Sequence, residues 1–152
     1  MIYAGLCSWT FCVFKTKKIL KMKTSVKEDS KKPFILIADD DEACLDVLVK
    51  MLALMGYDVL AVRNGKAAID AYSAMKHQID LVILDMKMPY NGEKAYLKLR
   101  KIDNHVRILL ISGYAEDIKV RALLNQGYCG FLEKPFNFNS LQVNVTNILN
   151  KS

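Results

Sequence analysis

Three short apolar runs in this chain each stop on charged residues. Ile35-Leu36-Ile37-Ala38 runs into Asp39-Asp40-Asp41, Leu81-Val82-Ile83-Leu84 into Asp85, and Gly130-Phe131-Leu132-Glu133 into Lys134-Pro135. If these runs are parallel strands of one sheet, their carboxyl ends lie side by side, and Asp39, Asp40, Asp85 and Lys134 meet in one crevice. Crowded carboxylates repel, and partial burial raises the cost, so a fold keeps such a cluster where a cation or a proton neutralises it. A divalent ion is the usual solution. Open α/β sheets also bind their ligands outside the carboxyl ends of their strands, which is where these residues fall.

The elements that must position this crevice follow from the apolar pattern. Ile35–Ala38 reads as a buried strand, and the acidic residues after it suit a helix start. Leu45, Leu48, Leu52 and Met55 recur at helical spacing until Gly56. Val59–Val62 is a second strand, ended by Asn64-Gly65, and Ala67, Ala68, Ala71 and Met75 suggest a second helix. Leu81–Leu84 is a third strand. Met88-Pro89 and Asn91-Gly92 then make a turn before a helix through Ala95, Leu99 and Ile102. Ile108–Ile111 is a fourth strand, ending on Ser112-Gly113. A weaker helical pattern covers Asp117 to Gln126, and Phe131–Leu132 is a short fifth strand. The last segment fits two periods: Leu141, Val143 and Val145 alternate like a strand, whereas Leu141, Val145, Ile148 and Leu149 fit a helix. A fifth helix completes the alternating order, which implies a doubly wound α/β fold with a parallel sheet covered on both faces.

The chain has 152 residues, 52% hydrophobic and 25% charged, enough for one domain with a real core. Residues 1–33 hold eight lysines against Glu28 and Asp29, which accounts for the whole net charge of +6 and leaves residues 34–152 neutral. A basic face on the folded part is the expected footprint of nucleic-acid binding, so direct binding of nucleic acid is not expected. The basic tail suits weak contact with acidic partners. Met1 to Phe14 is uncharged and largely apolar, but too short for a membrane span and without the leading charges of a secretory signal. We read residues 1–33 as a flexible basic tail, with Met22 as an alternative start. Cys7, Cys12, Cys44 and Cys129 show neither metal-site spacing nor C-x-x-C. Cys44 and Cys129 fit apolar patterns as small core residues, and a reduced, cytoplasmic setting is expected.

The segments Ile35-Leu36-Ile37-Ala38-Asp39-Asp40-Asp41-Glu42, Leu84-Asp85-Met86-Lys87-Met88-Pro89, Ile111-Ser112-Gly113 and Phe131-Leu132-Glu133-Lys134-Pro135-Phe136 together resemble the response-regulator receiver domain, in that family's order and at roughly its spacing. The likeness runs from Phe34 to about Asn150, and in detail it is similar to receivers at the ends of hybrid sensor kinases. It implies a flavodoxin-like (βα)5 domain over residues 34–152 with a five-stranded parallel sheet. It further implies that Asp85 is the phosphoacceptor. Asp40 and Asp85 would ligate Mg²⁺ directly, Asp39 through a water, and Lys87 through its backbone carbonyl, a hard oxygen set of the kind that ion prefers. Lys134 would read the phosphoryl oxygens, with a cis bond to Pro135. Ser112, standing where Thr is more familiar, and Phe131 would act as switch residues.

As partners, the resemblance implies a histidine kinase or histidine phosphotransfer protein as donor, and a downstream protein target reached through residues 117–151. On this reading the chain catalyses its own aspartyl phosphorylation and slow dephosphorylation without turning over external substrates. Aspartyl-nucleophile phosphohydrolases typically carry a second Asp two residues after the nucleophile, and here that residue is Lys87. Asp41 reads as a helix cap. One departure stands out: only Tyr90-Asn91 separate Pro89 from Gly92, so the loop is one residue shorter than the family pattern. The alternative is a receiver that is never phosphorylated and serves as a protein-interaction module. Other chemistries lack their residues. His77 and His105 stand near no nucleophile, and neither a G-x-x-x-x-G-K-[ST] loop nor a G-x-G-x-x-G motif occurs.

Overall fold

A central strand of a parallel sheet is buried on both faces and needs apolar side chains in every position. In the computed structural model, which describes residues 31–113 and 129–151, β1 (Phe34–Ala38), β3 (Leu81–Asp85) and β4 (Ile108–Ser112) meet that demand up to the terminal Asp85 of β3 and Ser112 of β4. β2 (Asp58–Val62) and β5 (Cys129–Glu133) form the edges, and the parallel order is β2-β1-β3-β4-β5. That is the doubly wound, flavodoxin-like order, whose chain direction across the sheet reverses between β1 and β3. The described helices are α1 (Glu42–Leu54), α2 (Gly65–Met75), α3 (Gly92–Ile102) and α4 (Phe138–Leu149). The helical pattern expected over Asp117–Gln126 and the basic tail up to Ser30 lie outside the described residues.

Strand periodicity divides the interior into two cores. Leu36, Val82, Leu84, Ile108 and Leu110 face Ala68, Tyr72, Ala95, Tyr96 and Leu99 on the side of α2 and α3. Ile35, Ile37, Ile83, Leu109 and Ile111 face Leu48, Leu52, Leu141, Val145 and Ile148 on the side of α1 and α4. Leu48 and Leu52 are fully buried, and each contributes about 2 kcal/mol of transfer free energy. Gly130 lets α4 come close, because a Cβ there would meet Ile148 Cδ1 at 2.5 Å.

The helix boundaries have local chemical causes. Asp41 caps α1 by accepting the amides of Ala43 and Cys44, and Gly56 ends it with a φ of 86° that favours glycine. Asn64 and Asn91 cap α2 and α3. The ambiguous last segment is a helix. Asn137 and Ser140 exchange side-chain and backbone hydrogen bonds in a capping box, which fixes a helical start that strand alternation cannot supply. The short loop after Pro89 closes tightly: a Cβ on Gly92 would collide with the Asp85 carbonyl and the Met86 Cα.

Candidate functional site

Register brings the charged residues to one level. Ala38 pairs with Leu84, so Asp39 and Asp85 leave adjacent strands together. Ser112 pairs with Glu133, and the Lys134 amide donates to the Ser112 carbonyl at 2.8 Å, which sets Lys134 beside the end of β4. The crevice therefore opens at the β1/β3 reversal, where the adjoining connections pass to opposite faces of the sheet.

Within it the Lys134 ammonium bridges two carboxylates. Its Nζ lies 2.9 Å from Asp39 Oδ2 and 3.0 Å from Asp85 Oδ1. Both acids are nearly enclosed, at 1% and 4% exposure. Their remaining oxygens take backbone amides: Asp39 Oδ1 accepts from Asp41 and Asp85 Oδ2 from Lys87, each at 2.9 Å. Asp40 is exposed, and its carboxylate lies with those of Asp39 and Asp85 within 4.8 Å. Three carboxylates thus face one ammonium.

Electrostatics follow from this crowding. Burial raises the Asp85 pKa, and the charge of Asp39 adds to the rise, while Lys134 and the Lys87 amide pull it down without cancelling it. Burial pulls the Lys134 pKa down, but its hydrogen bonds to Asp39 and Asp85 and their charges prevail and hold it above the ordinary lysine range. The Cys44 thiol is pushed up to about 12, first by burial and then by its hydrogen bond to Asp39. At neutral pH it is a protonated neighbour of the acidic cluster.

The structure brings Asp39, Asp40, Asp85 and Lys134 together. Ser112 is buried at the end of β4 and joined to Lys134 through the backbone. Phe131 pairs with Leu110 across β4 and β5 and packs against the core beneath α2 and α3. The Lys134–Pro135 bond is cis. Lys87 reaches Asp85 through its amide, with its side chain exposed.

Two features were not read from the sequence. Both Cys44 and Cys129 were expected in the core, and Cys129 is buried there, but Cys44 is only partly buried and lies beside Asp39. The amides of Asp41 and Lys87 orient the carboxylates two residues before them, a turn chemistry to which any aspartate at a strand end points. Among the described residues no helix is long and apolar enough to cross a membrane.

Comparison with known proteins gives consistent matches. A family model described as the response regulator receiver domain matches residues 35–146. The sensor kinase CckA of Brucella abortus (strain 2308) is 31% identical over 118 residues, which cover 77% of this chain and 12% of that protein. The chain spans about half the length, or less, of the curated relatives it matches. A CheY-like receiver domain protein from Methanospirillum hungatei superposes with a TM-score of 0.70 at 27% identity, over 78% of this chain and 94% of that one. The receiver domain of a sensor histidine kinase from Pseudomonas aeruginosa, solved with a magnesium ion in its active-site cleft, shares the fold with a TM-score of 0.71. Its identity is 24%, over 79% of this chain and 99% of that one.

Proposed function

This chain belongs to the response regulator receiver domain family, and from that premise we propose that it accepts a phosphoryl group on Asp85 from a histidine kinase or histidine phosphotransfer protein in a cytoplasmic two-component phosphorelay. The observation that carries this reading is the Asp39–Lys134–Asp85 bridge at the sheet's reversal point, with Asp40 alongside. One carboxylate oxygen of Asp85 attacks the phosphorus of a phosphohistidine. An O–P bond forms, the N–P bond breaks, and the imidazole leaves with the bonding pair and takes a proton from solvent. The Lys87 amide on Asp85 Oδ2 holds the carboxylate in one orientation for that attack.

The donor set fits Mg²⁺. Asp39, Asp40 and Asp85 offer hard oxygens within 4.8 Å, the Lys87 carbonyl is a further candidate, and one ammonium leaves the three carboxylates undercompensated. When bound, the ion offsets this charge and polarises the phosphoryl oxygens.

Phosphorylation of Asp85 removes the carboxylate charge that Lys134 bonds and offers phosphoryl oxygens in its place. The Lys134 amide is tied to the Ser112 carbonyl, so a shift of Lys134 is felt at the ends of β4 and β5. Ser112 donates its hydroxyl to the phosphoryl group, Phe131 repacks, and the surface within residues 117–151 passes the change to a protein target. Asp117–Tyr128 of that surface lie outside the described residues. Such signalling is a population shift, limited by how differently the phosphoryl group contacts the two states. The phosphoryl group is then lost by slow hydrolysis. With Lys87 two residues after Asp85, no general acid serves external substrates.

The test is incubation with acetyl phosphate, with and without Mg²⁺, followed by intact mass of wild type and Asp85→Asn. A single phosphoryl adduct that requires both the metal and Asp85 is expected. No adduct, where a control receiver labels, would favour the interaction-module reading.

A further inference from the structure

Helix α3 has two working faces. Ala95, Tyr96 and Leu99 are fully buried and fix it to the sheet. Lys94, Leu97, Lys98 and Lys101 recur at the spacing of a second helical stripe, and all four are exposed. Together with Tyr90, from the loop after β3, they line a groove of about 210 Å³. Leu97, 43% exposed, lies between the lysines.

None of Lys94, Lys98 and Lys101 has an ion-pair partner among the described residues, whereas the exposed cations Arg63 and Lys66 are matched by Glu42 and Asp70. Like charges three and four residues apart on a helix repel. The stripe therefore weakens its own helix, and an acidic occupant relieves the repulsion. The neutral total of residues 34–152 conceals this local excess.

We propose that the α3 groove docks an acidic segment of a partner protein, one that presents a single apolar side chain flanked by carboxylates. Tyr90 and Leu97 form the apolar floor, and the three lysines form a cationic rim. That arrangement of apolar centre and charged rim suits a peptide anchor. The groove's volume admits about one large side chain, too little apolar area to hold a membrane surface. Nucleic acid is disfavoured because Tyr90 is held against Gly65, where a Cβ would come within 2.9 Å of its Cδ1, so its ring is wedged in place and less available for base stacking. Docking in this groove does not require the chemistry of Asp85.

The test is a ¹H–¹⁵N NMR titration of the full chain with a short synthetic peptide of glutamates around one leucine. Parallel arms use an oligouridylate of equal charge and phosphatidylserine-containing vesicles. Perturbations at Tyr90 and across Lys94–Lys101 with the peptide are expected. Lys94→Glu, Lys98→Glu and Lys101→Glu together should weaken binding about tenfold, the summed worth of three exposed pairs. Leu97→Ser, which keeps every charge, should weaken it several-fold and guards against misfolding of the triple variant. Absence of perturbations at α3, unchanged affinity in both variants, or equal or tighter binding of the oligouridylate or the vesicles would overturn the proposal.

Discussion

Asp80 immediately precedes β3 and Asp85 ends it, and their surroundings separate a structural carboxylate from the proposed phosphoacceptor. Asp80 Oδ2 accepts the Phe34 amide at 2.8 Å while the Phe34 carbonyl accepts the Asp80 amide at 2.8 Å. This closes the ladder at the amino end of β1 and β3. Asp85, at the carboxyl end, is more deeply buried and shares one ammonium with a second buried acid. Residue type and distance from the strand are nearly the same. What differs is enclosure and competition for charge, which is where reactivity is expected to concentrate.

The largest effect should come from Asp85→Asn. Phosphoryl labelling should vanish, yet stability in magnesium-free buffer should rise by about 1 kcal/mol, because Asp39 and Lys134 are then left as a matched buried pair. Chemical denaturation beside the labelling assay checks both. Lys134→Met comes next. Two buried carboxylates lose their cation, and stability should fall by about 3 kcal/mol. Added Mg²⁺ should restore more stability in this variant than in wild type, since a ligand that binds only the folded state stabilises it. Urea melts across a magnesium series would show this, and equal Mg²⁺ effects would contradict the assigned ion site.

The contrasting end of β3 should respond oppositely. Asp80→Ala should cost about 1 kcal/mol, the worth of a hydrogen bond to a backbone amide, while labelling at Asp85 persists. The smallest effect concerns Asp103, which resembles Asp80 in its structural use. It accepts the His105 amide at 2.8 Å and the Tyr72 hydroxyl at 3.0 Å. The His105 amide is the main cause of its lowered pKa, with Tyr72 adding and burial opposing. A depressed folded pKa adds stability above the unfolded value and loses it as pH falls through the folded value. Because the group is only partly buried and solvent screens it, the loss should be about 0.5 kcal/mol or less. Asp103→Asn should flatten that part of the acid limb of a stability–pH profile.

The fold was legible wherever burial on both faces forces continuous apolar runs. β1, β3 and β4 announce themselves, and their terminal aspartates announce the crevice. β5 was harder to delimit because Gly130, chosen for the approach of Ile148, has no strand preference. α4 was ambiguous by period, and the signal that decides it is Asn137 with Ser140, two polar residues that only helix-start geometry pairs. At the site, Asp39, Asp40, Asp85 and Lys134 were readable. The amides of Asp41 and Lys87 were not, since a backbone donor leaves no trace in side-chain identity. Cys44 fits a helix's apolar pattern and gives no hint that its thiol faces Asp39. The α3 lysines were hidden by summation, because charge counted along a chain carries no information about which face bears it.

The most direct test is chemical trapping of the phosphorylated protein. After acetyl phosphate and Mg²⁺, borohydride reduces an acyl phosphate to homoserine, and tandem mass spectrometry of the digest locates it. Homoserine at position 85 alone is the expected result. Homoserine at Asp39 or Asp40, or none where a control receiver is trapped, would contradict the assignment of Asp85 as phosphoacceptor.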